Sequence, residues 1–381
     1  MEQVVVKKCD SYNADEVEKV LKEVFGLLGG IERYIKPGMK VVIKPNLIMK
    51  KRPEDAATTH PAVVRAVAKL VVSLGASVVI AESPGGVYTK GFLEGIYIVC
   101  GYKELEKTGV VLNYDTSVVD IPVSSGKITK RLTVIKPIAD ADLVISVSKL
   151  KTHGMTIMTG AVKNYFGIIP GALKAEYHAR MPKHDDFADM LVDIAGSVKN
   201  QINIVDGVIG MEGPGPTAGY PRKIGCILAG TNPYAVDVVC ADIMGLRDED
   251  VPTITSSYKR GLVSKDEIEV IGDKVEDVRV KDFLVPGAVK REASLRSRVL
   301  KLLTLFIRPK PVFIHSKCIG CQECVKNCPA KVIVMKNKRP CPDLRKCIRC
   351  FCCQELCPVK AVEISRPRIF KFFVPKSEHR N

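Results

Sequence analysis

Cys318-Ile319-Gly320-Cys321-Gln322-Glu323-Cys324-Val325-Lys326-Asn327-Cys328-Pro329 recurs in pattern as Cys347-Ile348-Arg349-Cys350-Phe351-Cys352-Cys353-Gln354-Glu355-Leu356-Cys357-Pro358. Each run reads Cys-x2-Cys-x2-Cys-x3-Cys-Pro, a spacing that serves [4Fe-4S] clusters. A tight loop aims three thiolates at three irons of one cubane. The fourth cysteine, expected at the start of a helix, reaches the other cubane. The spacing therefore assigns one cluster to Cys318, Cys321, Cys324 and Cys357, and a second to Cys347, Cys350, Cys353 and Cys328. Zinc sites favour isolated Cys-x2-Cys pairs, and a disulfide framework implies a secreted chain, so both fit less well. Cys341 and Cys352 fall outside the pattern. Cys352 is read as packing near the second cluster rather than as an alternative ligand.

Fourteen cysteines occur in 381 residues, and ten of them lie between Cys318 and Cys357. A chain of this length suggests two or three folded units. A hydrophobic content of 46% is ample for globular cores. The longest nearly apolar run, Val71 to Ala81, is too short to span a bilayer and is broken by Ser73, Gly75 and Ser77. The opening Met-Glu-Gln-Val-Val-Val-Lys-Lys lacks a secretory-signal layout. With free thiols and cubanes, this predicts a reducing, cytoplasmic setting.

The net charge of +16 is unevenly placed. Residues 286–381 hold 22 Lys and Arg against 6 Asp and Glu, while residues 1–285 balance at 36 and 36. Part of the excess offsets anionic clusters, and the rest suits an acidic redox protein or electron carrier. Nucleic acid is disfavoured as a partner, because no stacking platform or groove-reading motif accompanies the charge.

Upstream, the pattern predicts an open, mostly parallel α/β sheet with flanking helices. Strands are expected at Val4–Lys8, Lys40–Lys44, Ser77–Ala81, Val110–Leu112, Leu143–Val147, Ile202–Val205 and Lys223–Ala229. Helices are expected at Asp15–Leu28, from Pro61 to Leu74, and at Gly91–Lys107, Thr159–Tyr165, Phe187–Ser197 and Tyr234–Met244. Thr59 or His60 is the cap before Pro61. Val118–Val123 and Arg131–Ile135 resemble a polar hairpin, and 206–219 a Gly/Pro loop.

Polar residues gather just past the expected strand ends: Lys44 and Asn46; Glu82 and Ser83; Lys149, Lys151 and His153; Asp206; Asn232. Ligands of open parallel sheets bind at those ends, where helix N-termini favour anions. A crevice there would suit an anionic small molecule, or a second cofactor or metal. Taken one at a time, each of these residues is equally well an ordinary cap or loop residue. No Walker A, no Gly-x-Gly-x-x-Gly after a strand, no Gly-x-Ser-x-Gly and no paired-histidine zinc motif is present.

Several motifs occur in order: Lys44-Pro45-Asn46-Leu47, Thr58-Thr59-His60-Pro61, Glu82-Ser83-Pro84-Gly85 and Lys149-Leu150-Lys151-Thr152-His153. Thr159-Gly160-Ala161-Val162-Lys163-Asn164, Gly167, Asp206-Gly207, Glu212-Gly213 with Gly215-Pro216, and Asp237 follow. Over roughly residues 1–250 the chain resembles the domain-of-unknown-function 362 family, many of whose members carry a ferredoxin tail. The cysteine-rich end is similar to two-cluster bacterial ferredoxins. The resemblance implies a fold, an iron–sulfur character and site positions, but no reaction.

The predicted organisation is an α/β domain at 1–285, a basic linker with an amphipathic helix at 286–312, a small α+β ferredoxin-like two-cluster domain at 313–368, and a tail at 369–381. Ser294–Phe306 places Leu295, Val299, Leu302, Leu303 and Phe306 on one face amid basic residues. It reads as packing the small domain onto the larger, or as a peripheral membrane contact through 291–308. Arg308-Pro309-Lys310-Pro311 favours an extended spacer.

The leading functional expectation is an oxidoreductase passing electrons through two [4Fe-4S] clusters to an anionic substrate or cofactor. Lys44, Lys149, Lys151 and Lys163 would hold the anion, with Asn46 and Asn164 beside them. His60 or His153 would relay protons. Glu82, Asp206 and Glu212 would orient these groups or bind a cation. The catalytic set is then His60, His153, Lys151 and Glu82. The alternatives are a non-catalytic electron-transfer adaptor and a membrane-surface subunit of a larger redox complex.

Overall fold

The structure, a computed structural model, describes residues 1–285 and 309–365. The chain forms two compact units, Met1–Ala288 and Val289–Asn381. The predicted amphipathic helix, most of the basic linker and the tail from 369 lie outside the described residues.

The first unit is a nine-stranded sheet. Its strands are β1 (Glu2–Lys8), β2 (Lys40–Pro45), β3 (Ser77–Ile80), β4 (Val111–Leu112), β7 (Leu143–His153), β8 (Ile157–Thr159), β9 (Gln201–Glu212), β10 (Tyr220–Gly230) and β11 (Ile268–Gly272), with β5 (Val118–Pro122) and β6 (Arg131–Ile135) forming a separate antiparallel hairpin. The order is β11-β1-β10-β9-β7-β2-β3-β4, with β8 paired to β7 off this path. From β9 to β4 every pairing is parallel. Only β10 runs antiparallel to both neighbours.

Helices cover both faces. Alternation along the strands splits the core in two, as side chains of period two must. Val41, Ile43, Ile145 and Val147 face one cluster with α1 (Ala14–Leu27), α2 (Pro61–Ser73) and α3 (Lys90–Val99). Val42 and Val144 face the other, with α4 (Ala161–Asn164), α5 (Gly171–Arg180), α6 (His184–Ser197), α7 (Pro233–Ile243) and α8 (Pro252–Lys259). Asn13 caps α1 by accepting from the N–H groups of Asp15 and Glu16. His60 caps α2 ahead of Pro61.

Two expected loops are strand instead. β7 does not stop at Val147 but runs to His153, and all eleven of its residues are buried. Beyond a bulge between Lys149 and Lys151 it keeps pairing with β9 and adds β8. β9 likewise runs through Asp206 to Glu212 against β10. Its glycines mark close backbone approach, not a turn. A Cβ on Gly207 would stand 2.9 Å from the Cys226 carbonyl, and one on Gly210 would stand 2.6 Å from that of Leu150. Two expected helices are shorter: α3 ends at Val99 before a 3-10 segment, and α4 is a single turn followed by another.

The second unit is built from β12 (Lys310–Phe313), α9 (Glu323–Lys326), β13 (Ile333–Lys336), β14 (Arg339–Pro342), α10 (Cys352–Glu355) and β15 (Val362–Ser365). The expected spacer at Lys310-Pro311 is therefore an edge strand. Every element recurs 29 residues later, β12 as β14, α9 as α10 and β13 as β15. Left-handed backbone recurs at the same interval, at Gly320 and Arg349, Gln322 and Phe351, Lys331 and Lys360. Pairing crosses between the repeats: β12 with β15, β13 with β14, both antiparallel.

Candidate functional site

The repeat shapes two cavities of nearly equal size, about 390 and 370 Å³ including their open mouths. Cys318, Cys321, Cys324 and Cys357 line the first; Cys328, Cys347, Cys350 and Cys353 line the second. Each cavity thus takes three sulfurs from one run and the fourth from the other. The fourth cysteine follows its helix rather than opening it: Cys328 lies past α9 and Cys357 past α10. The left-handed residues curl each loop so that its three sulfurs face inward.

The donor set fits an iron–sulfur cubane. The walls are apolar, with Phe313, Met335 and Val362 at the first cavity and Val332, Ile333 and Phe351 at the second. Backbone N–H groups point at sulfur: Gly320 to Cys318 at 3.4 Å, Arg349 to Cys347 at 3.4 Å, and Ala361 to Cys357 at 3.1 Å. Such bonds stabilise thiolate and raise cluster potential. Among the described residues, no three or more His, Cys, Asp or Glu side chains converge as one metal ion requires. Four cysteines around each void match the ligand count of a [4Fe-4S] cubane. Burial pushes the Cys324 thiol up to about 11, so its thiolate needs the iron's own charge. Cys352 is buried in α10 and absent from the cavity wall, and Cys341 also lies off both walls.

In the α/β unit the expected crevice residues form two buried ion pairs on opposite faces of the sheet. Lys44 follows the parity of Val42, and its Nζ lies 2.5 Å from Glu82 Oε2. Both are buried, Lys44 at 0% and Glu82 at 4% exposure. Burial pulls the Lys44 ammonium down and pushes the Glu82 carboxyl up, each opposed by the other's charge. A Cβ on Gly167 would fall 2.0 Å from Glu82 Oε1, so only glycine lets α4's following turn close over the pair. Asn164 donates to Ser146 Oγ at 2.9 Å and accepts from Asn46 at 3.0 Å.

Lys149 follows the parity of Val147 to the other face. Its Nζ lies 2.6 Å from Asp206 Oδ2, and it also donates to the Tyr12 hydroxyl at 2.8 Å and the Ile209 carbonyl at 3.0 Å. Tyr12 donates to Asp206 Oδ1 at 2.8 Å, and the His60 N–H donates to Oδ2 at 2.9 Å. The Tyr12 and His60 rings stack at 3.6 Å and 7°. Burial lowers Lys149 and holds His60 down to about 4. His60 Nδ1 accepts from Ala62 N–H at 3.2 Å, closing the cap.

Lys151, two residues past Lys149, donates to Asn46 Oδ1 at 2.8 Å and the Ala57 carbonyl at 2.5 Å, and Asn46 in turn donates to Asn164. His153 ends β7, buried, with Nδ1 accepting from the N–H groups of Met155 and Thr156. Glu212 joins neither pair; it accepts from Leu284 N–H at 3.1 Å. Lys163 is half-buried, its ammonium 4.6 Å from the Phe166 ring centroid.

Sequence patterning missed two members. Tyr12 sits in the β1–α1 joint, at the same sheet end as the others. Lys174, on α5, donates to the Ser83 carbonyl and hydroxyl and to the Pro84 carbonyl. Enclosure of its ammonium lowers it to about 7, and Lys44 and Lys163 add to the lowering. Asp237 is also buried; it accepts from Ala161 N–H at 2.6 Å and Val162 N–H at 3.4 Å and fixes the start of α4.

A family described as a domain of unknown function (DUF362) matches residues 41–242, and a 4Fe-4S dicluster domain matches residues 310–358. The chain is 33% identical over 269 residues to a thylakoid-associated protein of Synechocystis sp., covering 68% of this chain and 79% of that one. Among solved structures it is similar to the lactate racemase apoprotein from Thermoanaerobacterium thermosaccharolyticum, with 15% identity, a TM-score of 0.41, and 64% and 57% of the two chains covered. A Thermotoga maritima protein aligns with 13% identity, a TM-score of 0.37, and 61% and 59% covered. The chain spans less than two thirds of either solved structure. The dicluster match supports iron–sulfur binding and electron transfer. Among the described residues, no helix is long and apolar enough to cross a membrane. The chain belongs to the DUF362 family and joins that domain to a 4Fe-4S dicluster domain.

Proposed function

We propose that the protein is a two-cluster iron–sulfur oxidoreductase serving an anionic substrate or cofactor at the carboxyl end of the α/β sheet. The observation that carries this is the lining of each cavity by four cysteines drawn from both repeats. Bound [4Fe-4S] clusters supply reversible one-electron storage. The chain's own residues hold them through thiolate, aim backbone N–H groups at sulfur and exclude water with apolar walls.

In the α/β unit, Lys44 and Lys149 are fully buried, whereas Lys163 and Lys174 are partly exposed, and this reading gives anion recognition to the latter two on that ground. Lys174, at about 7, is suited to exchange a proton near neutral pH. Lys151, Asn46 and Asn164 form a hydrogen-bonded chain that ends beside Lys44, whose carbonyl accepts from Asn164. His60 and His153 use Nδ1 for backbone N–H groups, and this reading assigns proton relay to the two rings. A cytoplasmic setting accords with the free thiols.

The test is anaerobic purification with iron and sulfide analysis. About eight of each per chain is the two-cluster result. Replacing Cys324 or Cys353 with Ala should remove about half of the iron; about four irons in the unsubstituted chain would reject the second cluster. Loss of a co-purifying anion from a Lys163→Ala/Lys174→Ala variant would support the α/β site, and its retention would reject it.

A second reading is favoured by the thylakoid-associated relative together with the basic, apolar sequence at 291–308. In it the protein attaches to an anionic membrane surface while remaining an electron carrier. Flotation with phosphatidylserine vesicles, with and without residues 291–308, separates the two readings.

A further inference from the structure

The two repeats are equivalent in backbone but not in exposure. Ile319 is 66% exposed, and Cys321 and Gln322 are exposed beside it. Their counterparts 29 residues later, Ile348, Cys350 and Phe351, are half-buried, half-buried and buried. The contrast continues along the helices. Lys326 is exposed, whereas its counterpart Glu355 is 9% exposed; Val325 is half-buried, whereas Gln354 is 1% exposed. Both cavities have open mouths, but the loop tip beside the Cys318–Cys357 cavity is the more exposed of the two. That tip is ringed by positive charge. Lys317 precedes Cys318 with a side chain 56% exposed, and Glu363 lies 3.7 Å from it. The Lys338 carbonyl stands 3.3 Å from where a Gly320 Cβ would be, and the Lys338 side chain is exposed. Arg339 donates to the Cys318 carbonyl. Residues 309–365 hold 11 Lys and Arg against 4 Asp and Glu.

We propose that this tip, Lys317, Ile319, Cys321, Gln322, Lys338 and Arg339, is the docking face for an acidic one-electron carrier protein. The proposal rests on the cavity being a cluster site and goes on to say which of the two exchanges electrons with an outside protein. An apolar centre with a charged rim is the anatomy of a transient interface. The rim sets encounter rate and partner choice, and the exposed Ile319 excludes water at the point of closest approach. The complementary charge is acidic, because Lys317, Lys326, Lys338 and Arg339 outnumber the two carboxylates of this face, Glu323 and Glu363. At the other cavity the equivalent loop is less exposed, and the buried Phe351 stands where the exposed Gln322 stands here.

Oxidised flavodoxin, an acidic carrier, is the probe, with the basic carrier cytochrome c as control. Binding to the full chain is measured by calorimetry at low salt, on the order of 20 mM, where charge steering is strongest. Wild type should bind flavodoxin and not cytochrome c. Lys317→Glu/Lys338→Glu should weaken binding by about tenfold or more, and Ile319→Asp should do the same without touching the rim. Lys346→Glu, at the position equivalent to Lys317 in the second repeat, should change it less than about twofold. Carbodiimide cross-links should map to Lys317 or Lys338. Iron content and visible absorbance of every variant are read separately, so that a lost cluster is not mistaken for a lost face. Absence of flavodoxin binding to an iron-replete wild type would overturn the proposal, as would a larger loss from Lys346→Glu.

Discussion

The two units handle charge in opposite ways. The α/β unit is balanced over residues 1–285, yet it buries Lys44 with Glu82 and Lys149 with Asp206 where no water can screen them. The cysteine-rich unit carries a net positive charge, spreads it over its surface and buries mainly sulfur and small apolar groups. One therefore depends on partners supplied by its own chain. The other has a sparse core, of Ile333, Ala361, Val362 and two cysteines, and depends on what its thiols bind.

The sharpest way to break this contrast is to strip the iron. Binding of metal by thiols in a small domain is worth on the order of 10 kcal/mol and couples to folding. Chelation under reducing conditions should make residues 309–365 protease-sensitive while 1–285 stays protected. Equal loss in both units would erase the distinction.

Next in size is removal of one member of a buried pair. Glu82→Gln leaves Lys44 buried without its countercharge and should cost about 3–5 kcal/mol in chemical denaturation. Replacing both with Met should recover much of that loss. Asp206→Asn should cost a similar amount and also loosen Tyr12 and the His60 cap, since both hydrogen-bond to that carboxylate. A double change no better tolerated than the single would mean that the pair has a role beyond mutual neutralisation.

A pH-dependent effect comes third. Burial raises the Asp237 carboxyl to about 7. Its folded pKa then lies above its unfolded one, so its stabilisation is complete below about 4 and is lost as pH rises through about 7. That difference corresponds to at most about 4 kcal/mol. Asp237→Asn keeps an oxygen for Ala161 and Val162 and should flatten the decline in stability across this window. An unchanged pH profile would remove the carboxyl from the account. Smallest of all, Lys107→Ala breaks only a surface pair with Glu104, so the melting temperature should not move.

Legibility followed the range of the interactions involved. The cysteine runs could be read because one cavity's geometry constrains three residues within six positions of each other, apart from the exchanged fourth ligand. Parallel strands β2, β3 and β7 could be read from their apolar runs and the turns that end them. The outer halves of β7 and β9 could not. Lys149 and Lys151 flank Leu150 with the period of a strand, but they looked like a solvated loop because their neutralising partners come from elsewhere. Asp206 lies 57 residues from Lys149, and Glu82 lies 38 residues from Lys44. Nothing local announces that such a charge is buried. β10 could be read as a strand over Lys223–Ala229, but not its reversed direction, which its neighbours β1 and β9 set. Lys174 escaped notice because it lies within α5, away from any strand end.

The crossed pairing in the small unit has one more consequence. Lys310 opens β12 and Ser365 closes β15, and they are register partners. The polypeptide therefore arrives and departs at one doorway. The whole assembly could be excised, duplicated or grafted onto another protein as a cassette, leaving no strand behind without its mate. Such an attachment lets evolution add or discard an electron store without rebuilding the host.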